Sequence, residues 1–124
     1  QLADVRIMQV VSKQLVRRIG SAIATGELTP QASSILRLFE AQRTWTEYDA
    51  AFRIAGANAV AGPSLQDPGH GQAGLRYLSR QAASLGGGST EIARNIISER
   101  VLGMPREAAA DRGVAFKDVK RSGA

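Results

Sequence analysis

Cysteine does not occur among the 124 residues, which excludes disulfides and thiolate metal sites. Histidine occurs once, as His70 in a stretch rich in Pro and Gly, so a histidine-rich metal site is excluded as well. A lone loop histidine reads as solvated, with a ligand or acid–base role as the alternative. No apolar run approaches the roughly twenty residues of a membrane span. No signal peptide opens the chain, and a soluble cytoplasmic protein is the default expectation. No segment alternates apolar and polar residues over a strand's length, so nothing argues for a sheet.

What is present is a hydrophobic fraction of 44%, enough to argue against disorder throughout. The length suits one ordinary domain with one core. The formal net charge is +5, which raises nucleic acid as a partner. The basic residues are spread along the chain, however, with acids interleaved. The tight clusters are Arg17-Arg18 and Lys117 to Arg121. Scattered arginine equally pairs with carboxylates or grips the phosphates of a nucleotide or coenzyme, so no nucleic-acid partner is expected. Gln1-Leu2-Ala3-Asp4 already lies inside an amphipathic pattern, without a cap or an initiator methionine. That predicts a chain cut from something longer.

The pattern predicts an all-α, antiparallel bundle of about four helices. Leu2, Val5, Met8, Val11, Leu15, Ile19 and Ala22 step by three and four, predicting a helix over residues 2–24 that ends at Gly26. Thr29-Pro30 reads as a new start, with Thr as N-cap and Pro in the first turn. The second helix is predicted from Pro30 to Gly56. It carries apolar groups on more than one face, as a helix packed between neighbours does. Trp45, Tyr48 and Phe52 read as core. Gly56, Gly62, Pro63, Pro68, Gly69 and Gly71 predict a loop over residues 56–71. A third helix is expected from Gly74 to Leu85 and a fourth from Thr90 to Leu102. Residues 106–124 read as an extended or disordered tail beyond a bundle over residues 1–105.

Three glycines, Gly86-Gly87-Gly88, run straight into Ser89-Thr90 and the fourth helix. Without Cβ atoms, the backbone there can approach another group closely. A helix start has unpaired N–H groups and partial positive charge, so such a turn can receive a phosphate. The same residues equally suit a flexible turn with a good cap. The glycines lack a preceding strand and a Gly-Lys-Ser/Thr ending, so this is neither a P-loop nor a Rossmann fingerprint.

The stretch Gly87-Gly88-Ser89-Thr90-Glu91-Ile92-Ala93-Arg94-Asn95-Ile96-Ile97-Ser98-Glu99-Arg100-Val101-Leu102-Gly103 resembles the C-terminal signature of the acyl-CoA dehydrogenases. In many members that signature reads Gly-Gly-Thr-Ser-Glu-Ile-Gln-Arg-Asn-Ile-Ile-Ala-Glu-Arg-Val-Leu-Gly, then Leu-Pro-Arg. Here Met104-Pro105-Arg106 follows. Gln1-Leu2-Ala3-Asp4-Val5 and Arg53-Ile54-Ala55-Gly56-Ala57-Asn58 resemble further family segments, and Arg80 to Leu85 resembles the helix leading into the glycines.

The resemblance implies most of a C-terminal helical bundle, lacking its first helix, from an FAD-dependent enzyme. That enzyme would oxidise acyl-CoA thioesters to 2,3-enoyl-CoA, as in fatty acid β-oxidation, with an electron-transfer flavoprotein as acceptor. Gly88 would contact substrate. Ser89, Thr90 and Glu91 would contact the FAD of the same subunit, and Arg53 to Ala57 the FAD of a neighbour. The usual Gln is replaced by Arg53 and the usual Gly by Ala57, so Arg53 either grips pyrophosphate or forms a structural salt bridge. Gly87 matches the position of the catalytic glutamate in one branch of the family, and glycine cannot take a proton. The base then lies on the bundle's first helix, outside this chain, or this subunit has none and works beside an active partner. A bundle without its first helix exposes apolar surface, which predicts self-association or a companion chain. The alternatives are a non-catalytic helical oligomerisation module and a small basic nucleic-acid-binding module.

Overall fold

A computed structural model describes residues 1–61, 68–106, 108–109, 111 and 113–119. Among these residues all regular structure is helical and no strand occurs, as the sequence pattern predicts. Helix α1 (Leu2–Ala24) has the predicted bounds. Its inward face runs through Val5, Met8, Ser12 and Leu15 to the buried Ile19, whereas Val11 is exposed. Thr25 closes it by donating through its backbone N–H and hydroxyl to the Ser21 carbonyl, and Gly26 follows at φ +76°. That left-handed residue is the usual helix stop.

Thr29 is extended and Pro30 opens the next turn, but the Thr29 hydroxyl makes no cap. Residues Pro30–Ala32 form a 3₁₀ turn that leads into helix α2 (Ser33–Ala55). Ser12 bonds Glu40, while Leu2 and Val5 share a groove with Ala50 and Ile54. Low numbers on α1 therefore meet high numbers on α2, and the two helices are antiparallel. Glu40 also accepts from Arg43 Nε at 2.8 Å, and Arg43 Nη1 reaches Glu47 at 2.6 Å. Burial pushes the Glu40 carboxyl up, but Ser12 and Arg43 together outweigh it and hold that group below the usual range.

Helix α2 is the hub. It packs against α1, against helix α4 (Pro68–Ser79), against the 3₁₀ turn Arg80–Ser84 and against helix α5 (Thr90–Ile96). Its apolar groups on several faces are explained by these several neighbours. Among the described residues the buried side chains are nonetheless small: Ala32, Ala41, Ala50, Ala59, Ala73 and Ala93, with Ile19 the largest. The expected aromatic core is corrected here. Tyr48 and Phe52 are half-buried and Trp45 is 36% exposed. Phe52 stacks on Tyr77 with centroids 4.1 Å apart. The Arg80 guanidinium sits 3.6 Å from the Tyr77 ring and 4.9 Å from that of Trp45. Trp45 Nε1 donates to Ser84 Oγ at 3.0 Å. A cation and a hydroxyl give these rings partners at the surface, where a dry core would leave the indole N–H unpaired.

The region read as one loop is also corrected. A short helix α3 (Ala57–Ala61) follows Gly56, and α4 begins at Pro68 rather than at Gly74. Proline at a helix start costs no hydrogen bond, so Pro68 opens a helix where it was read as a break. Gly74 is buried where α4 crosses α3: a Cβ there would stand 1.9 Å from the Ala59 carbonyl oxygen. Glycine at this position is a packing requirement. Residues 62–67 of the predicted loop, and the His70 side chain, lie outside the described residues.

The fourth predicted helix is present as α5 followed by a π turn, Ile97–Val101. Gly103 at φ +67° ends it. Arg106 Nε lies 3.3 Å from Glu99, and one 3₁₀ turn spans Phe116–Asp118. Part of the Lys117–Arg121 cluster lies outside the described residues. Large apolar side chains stand in solvent along the molecule, among them Leu2, Ile7, Val60, Leu78, Leu85 and Leu102. No helix is long and apolar enough to cross a membrane among the described residues.

Candidate functional site

The glycine turn is built from both ends. The Ala82 carbonyl accepts from the Leu85 and Gly86 N–H groups, at 3.1 and 2.8 Å, and so ends the preceding 3₁₀ turn. The chain then passes through Gly87 at φ +76° and Gly88 at φ +102°. Both values lie in the left-handed region that residues with a Cβ rarely adopt. Ser89 is extended (φ −69°, ψ 159°) and caps α5, its hydroxyl accepting from the Ile92 N–H at 3.3 Å. Thr90 Oγ1 donates to Glu91 Oε1 at 3.1 Å. The Glu91 carboxyl is held below its usual range by its own backbone N–H and by the Ser89 and Thr90 hydroxyls. Arg94 adds a weaker pull at 3.8 Å.

Sequence reasoning missed the side chain that holds this turn. Arg37, one turn into α2, donates from Nη2 to the Gly86 carbonyl at 2.7 Å and to the Gly88 carbonyl at 2.9 Å. Its Nε is closed off from solvent and has no partner. A Cβ at position 87 would come within 3.9 Å of that nitrogen. Nothing in the sequence signals the contact, because the acceptors are main-chain carbonyls about fifty positions away.

The turn is open to solvent and borders two clefts, each of about 170 Å³. One is lined by Ser33, Ser34, Arg37, Gly87, Gly88 and Ser89. The other is lined by Trp45, Ser84, Thr90 and Arg94, with Leu38 and Gln42. Ser89 and Thr90 thus face different hollows. Chemically the turn offers hydroxyls, close backbone approach and the positive end of a helix, with the Glu91 carboxylate in the same first turn. A bare anion would be opposed by that carboxylate. A ligand carrying both phosphate and hydroxyl groups would find acceptors and donors together.

Arg53 and Ala57 stand elsewhere. Arg37 and Arg53 are about 24 Å apart along the α2 axis, at 1.5 Å per residue. The structure therefore does not bring Arg53 and Ala57 together with Gly88, Ser89, Thr90 and Glu91. Arg53 Nε pairs with Asp49 at 2.8 Å on the exposed face of α2. It lines a separate hollow with Gln1, Asp4, Thr46 and Asp49. Gly56 (φ 57°, ψ −135°) makes the sharp turn that starts α3 at Ala57.

Comparison with known proteins adds to this geometry. The family model described as "Acyl-CoA dehydrogenase, C-terminal domain" matches residues 1–102. A protein of Mycobacterium tuberculosis named acyl-CoA dehydrogenase IpdE1 is 66% identical over 32 residues, 26% of this chain and 8% of that relative. One of the same name from Mycolicibacterium smegmatis is 48% identical over 48 residues, 39% of this chain and 12% of the relative. The matched stretches are a small part of those relatives' lengths. No solved structure matches.

Proposed function

Since the chain belongs to the acyl-CoA dehydrogenase family, matched through that family's C-terminal domain, we propose that it forms part of an FAD-dependent oxidoreductase. That enzyme converts acyl-CoA thioesters to 2,3-enoyl-CoA in the cytoplasm. It passes electrons to an electron-transfer flavoprotein or a similar acceptor. The observation that carries this reading is the glycine turn, whose left-handed Gly87 and Gly88 line one cleft and feed a hydroxyl-bearing helix start whose Thr90 lines a second.

The residues present fit a flavin dinucleotide. A Cβ at Gly88 would meet nothing within 4 Å, so a ligand can approach that backbone unobstructed. Ser89 and Thr90 offer hydroxyls to the diphosphate side, and Glu91 accepts from hydroxyl groups. When bound, FAD supplies the hydride acceptor, N5. Gly88 contacts the substrate, a role supported by its exposed, unobstructed backbone. Gly87 has no group to take a proton, so the base comes from another segment of the protein or from a companion chain. Arg53 to Ala57 serve the FAD of a neighbouring subunit. Their separation from the glycine turn suits two flavins contacted by one chain. The exposed apolar side chains suit a homo- or heteromeric assembly.

Flavin retention in the purified native assembly tests this. Replacing Ser89 and Thr90 together with alanine should speed FAD loss several-fold, measured by flavin fluorescence after dilution. Unchanged retention would remove the turn from the cofactor site.

A further inference from the structure

We propose that Arg37 is the positioning residue of the glycine turn. A single terminal nitrogen, shared between carbonyls two residues apart, sets the path along which Ser89 and Thr90 are presented. The positioning concerns the turn itself; its consequence for FAD rests on the reading given above.

Three successive glycines have more backbone freedom than any other stretch of the chain. Among the described residues, Gly87 and Gly88 take part in no backbone–backbone hydrogen bond. Their order must come from elsewhere, and the Arg37 guanidinium is the group that reaches them. Pointing the Gly86 and Gly88 carbonyls at one nitrogen requires the intervening peptides to turn back, which is what φ +76° and +102° do. Each bond is charge-assisted and therefore stronger than a neutral one. Gly88 directly precedes the cap residue Ser89, so the start of α5 is tied to the first turns of α2.

The anchor is firm, because α2 is the element against which α1, α4 and α5 all pack. Arg37 also leaves its Nε unpaired and has no carboxylate within salt-bridge distance among the described residues. The guanidinium, held by two carbonyls, keeps its charge beside the turn, where it favours an anionic ligand. Gly87 completes the arrangement: its φ of +76° is a path that a residue with a Cβ rarely takes.

¹⁵N relaxation measured by NMR on the dilute ¹⁵N-labelled 124-residue chain tests the proposal. Arg37→Gln should lower the ¹H–¹⁵N NOE at Gly87, Gly88 and Ser89 from values like those of α2 to values of a mobile loop, and should shift the two glycine resonances. Amides of α1 and central α2 should keep wild-type NOE values. Arg37→Lys retains a cation with three donors and should restore part of the order. NOE values and glycine shifts unchanged in Arg37→Gln would overturn the proposal. Should Arg37→Gln fail to fold, the wild-type chain still decides. Slowed, separate Arg37 Nη signals with contacts to Gly86–Ser89 support the proposal, and averaged signals like those of a free arginine overturn it. In the flavin-loaded assembly, Arg37→Gln should speed FAD loss several-fold. A loosened turn with unchanged FAD retention would keep the positioning role and refute the flavin reading instead.

Discussion

Gly74→Ala is expected to destabilise the protein, although alanine is the better helix former. The added Cβ would sit 1.9 Å from the Ala59 carbonyl oxygen and 3.0 Å from its carbon. Relief needs a separation of more than 1 Å between α3 and α4. The obstacle is main chain, so no rotamer change removes it. Both Ala59 and Ala73 are buried at this crossing, at 4% and 9% exposure. If α3 moves, the bond from the Ala59 N–H to the Gly56 carbonyl, 3.1 Å, is strained as well. Overpacking of this kind costs about 1–3 kcal/mol. The intrinsic gain of Ala over Gly in a helix returns up to about 1 kcal/mol. The net loss should be about 1–2 kcal/mol. Gly20→Ala is the control: it lies within α1, and a Cβ there meets nothing within 4 Å. It should stabilise by about 0.5–1 kcal/mol. Urea denaturation with a common slope reads both changes as opposite shifts of midpoint. A Gly74→Ala protein as stable as wild type would refute the close crossing of α3 and α4.

Three further outcomes follow from the packing. Glu40 has a folded pKa below its unfolded value, so its stabilising contribution is present above the usual carboxylate range. It is lost as pH falls through the depressed folded value. Glu40→Gln should cost about 1 kcal/mol at neutral pH and flatten the acid limb of a stability–pH curve; an unaltered limb contradicts the Ser12–Glu40–Arg43 network. Ser89→Ala removes the α5 cap and should cost about 1 kcal/mol by thermal melting, whereas an unchanged melting temperature would mean the hydroxyl does not cap. Exposed Leu2, Ile7, Leu78 and Leu85 predict concentration-dependent association of the isolated chain, and static light scattering showing a clean monomer at high concentration would contradict it.

Much of the architecture is legible in the residues because helical periodicity survives without tertiary knowledge. The bounds of α1, the Thr29-Pro30 start, the Ser89 cap and the Gly103 stop all follow from local chemistry. Errors arise where a residue serves a neighbour distant in sequence. Pro68 and Gly71 look like loop punctuation, yet they belong to α4. Gly74 is small because Ala59 lies against it, a fact held by no window of sequence. Trp45 looks like core until Arg80 and Ser84 are seen beside it. The π turn at Ile97–Val101 is equally hidden, since the apolar stripe runs through it unbroken. At the candidate site, the glycines and hydroxyls announce themselves by spacing and by resemblance. Arg37 does not, because an arginine that bonds carbonyls leaves no complementary side chain to find.

The most direct test is a structure of the native assembly containing this chain, determined with FAD bound. The account predicts the flavin dinucleotide within hydrogen-bond distance of Ser89 or Thr90, its diphosphate side facing the glycine turn. A flavin seated with no contact to residues 86–91, or a turn covered by another subunit's side chains, would contradict it.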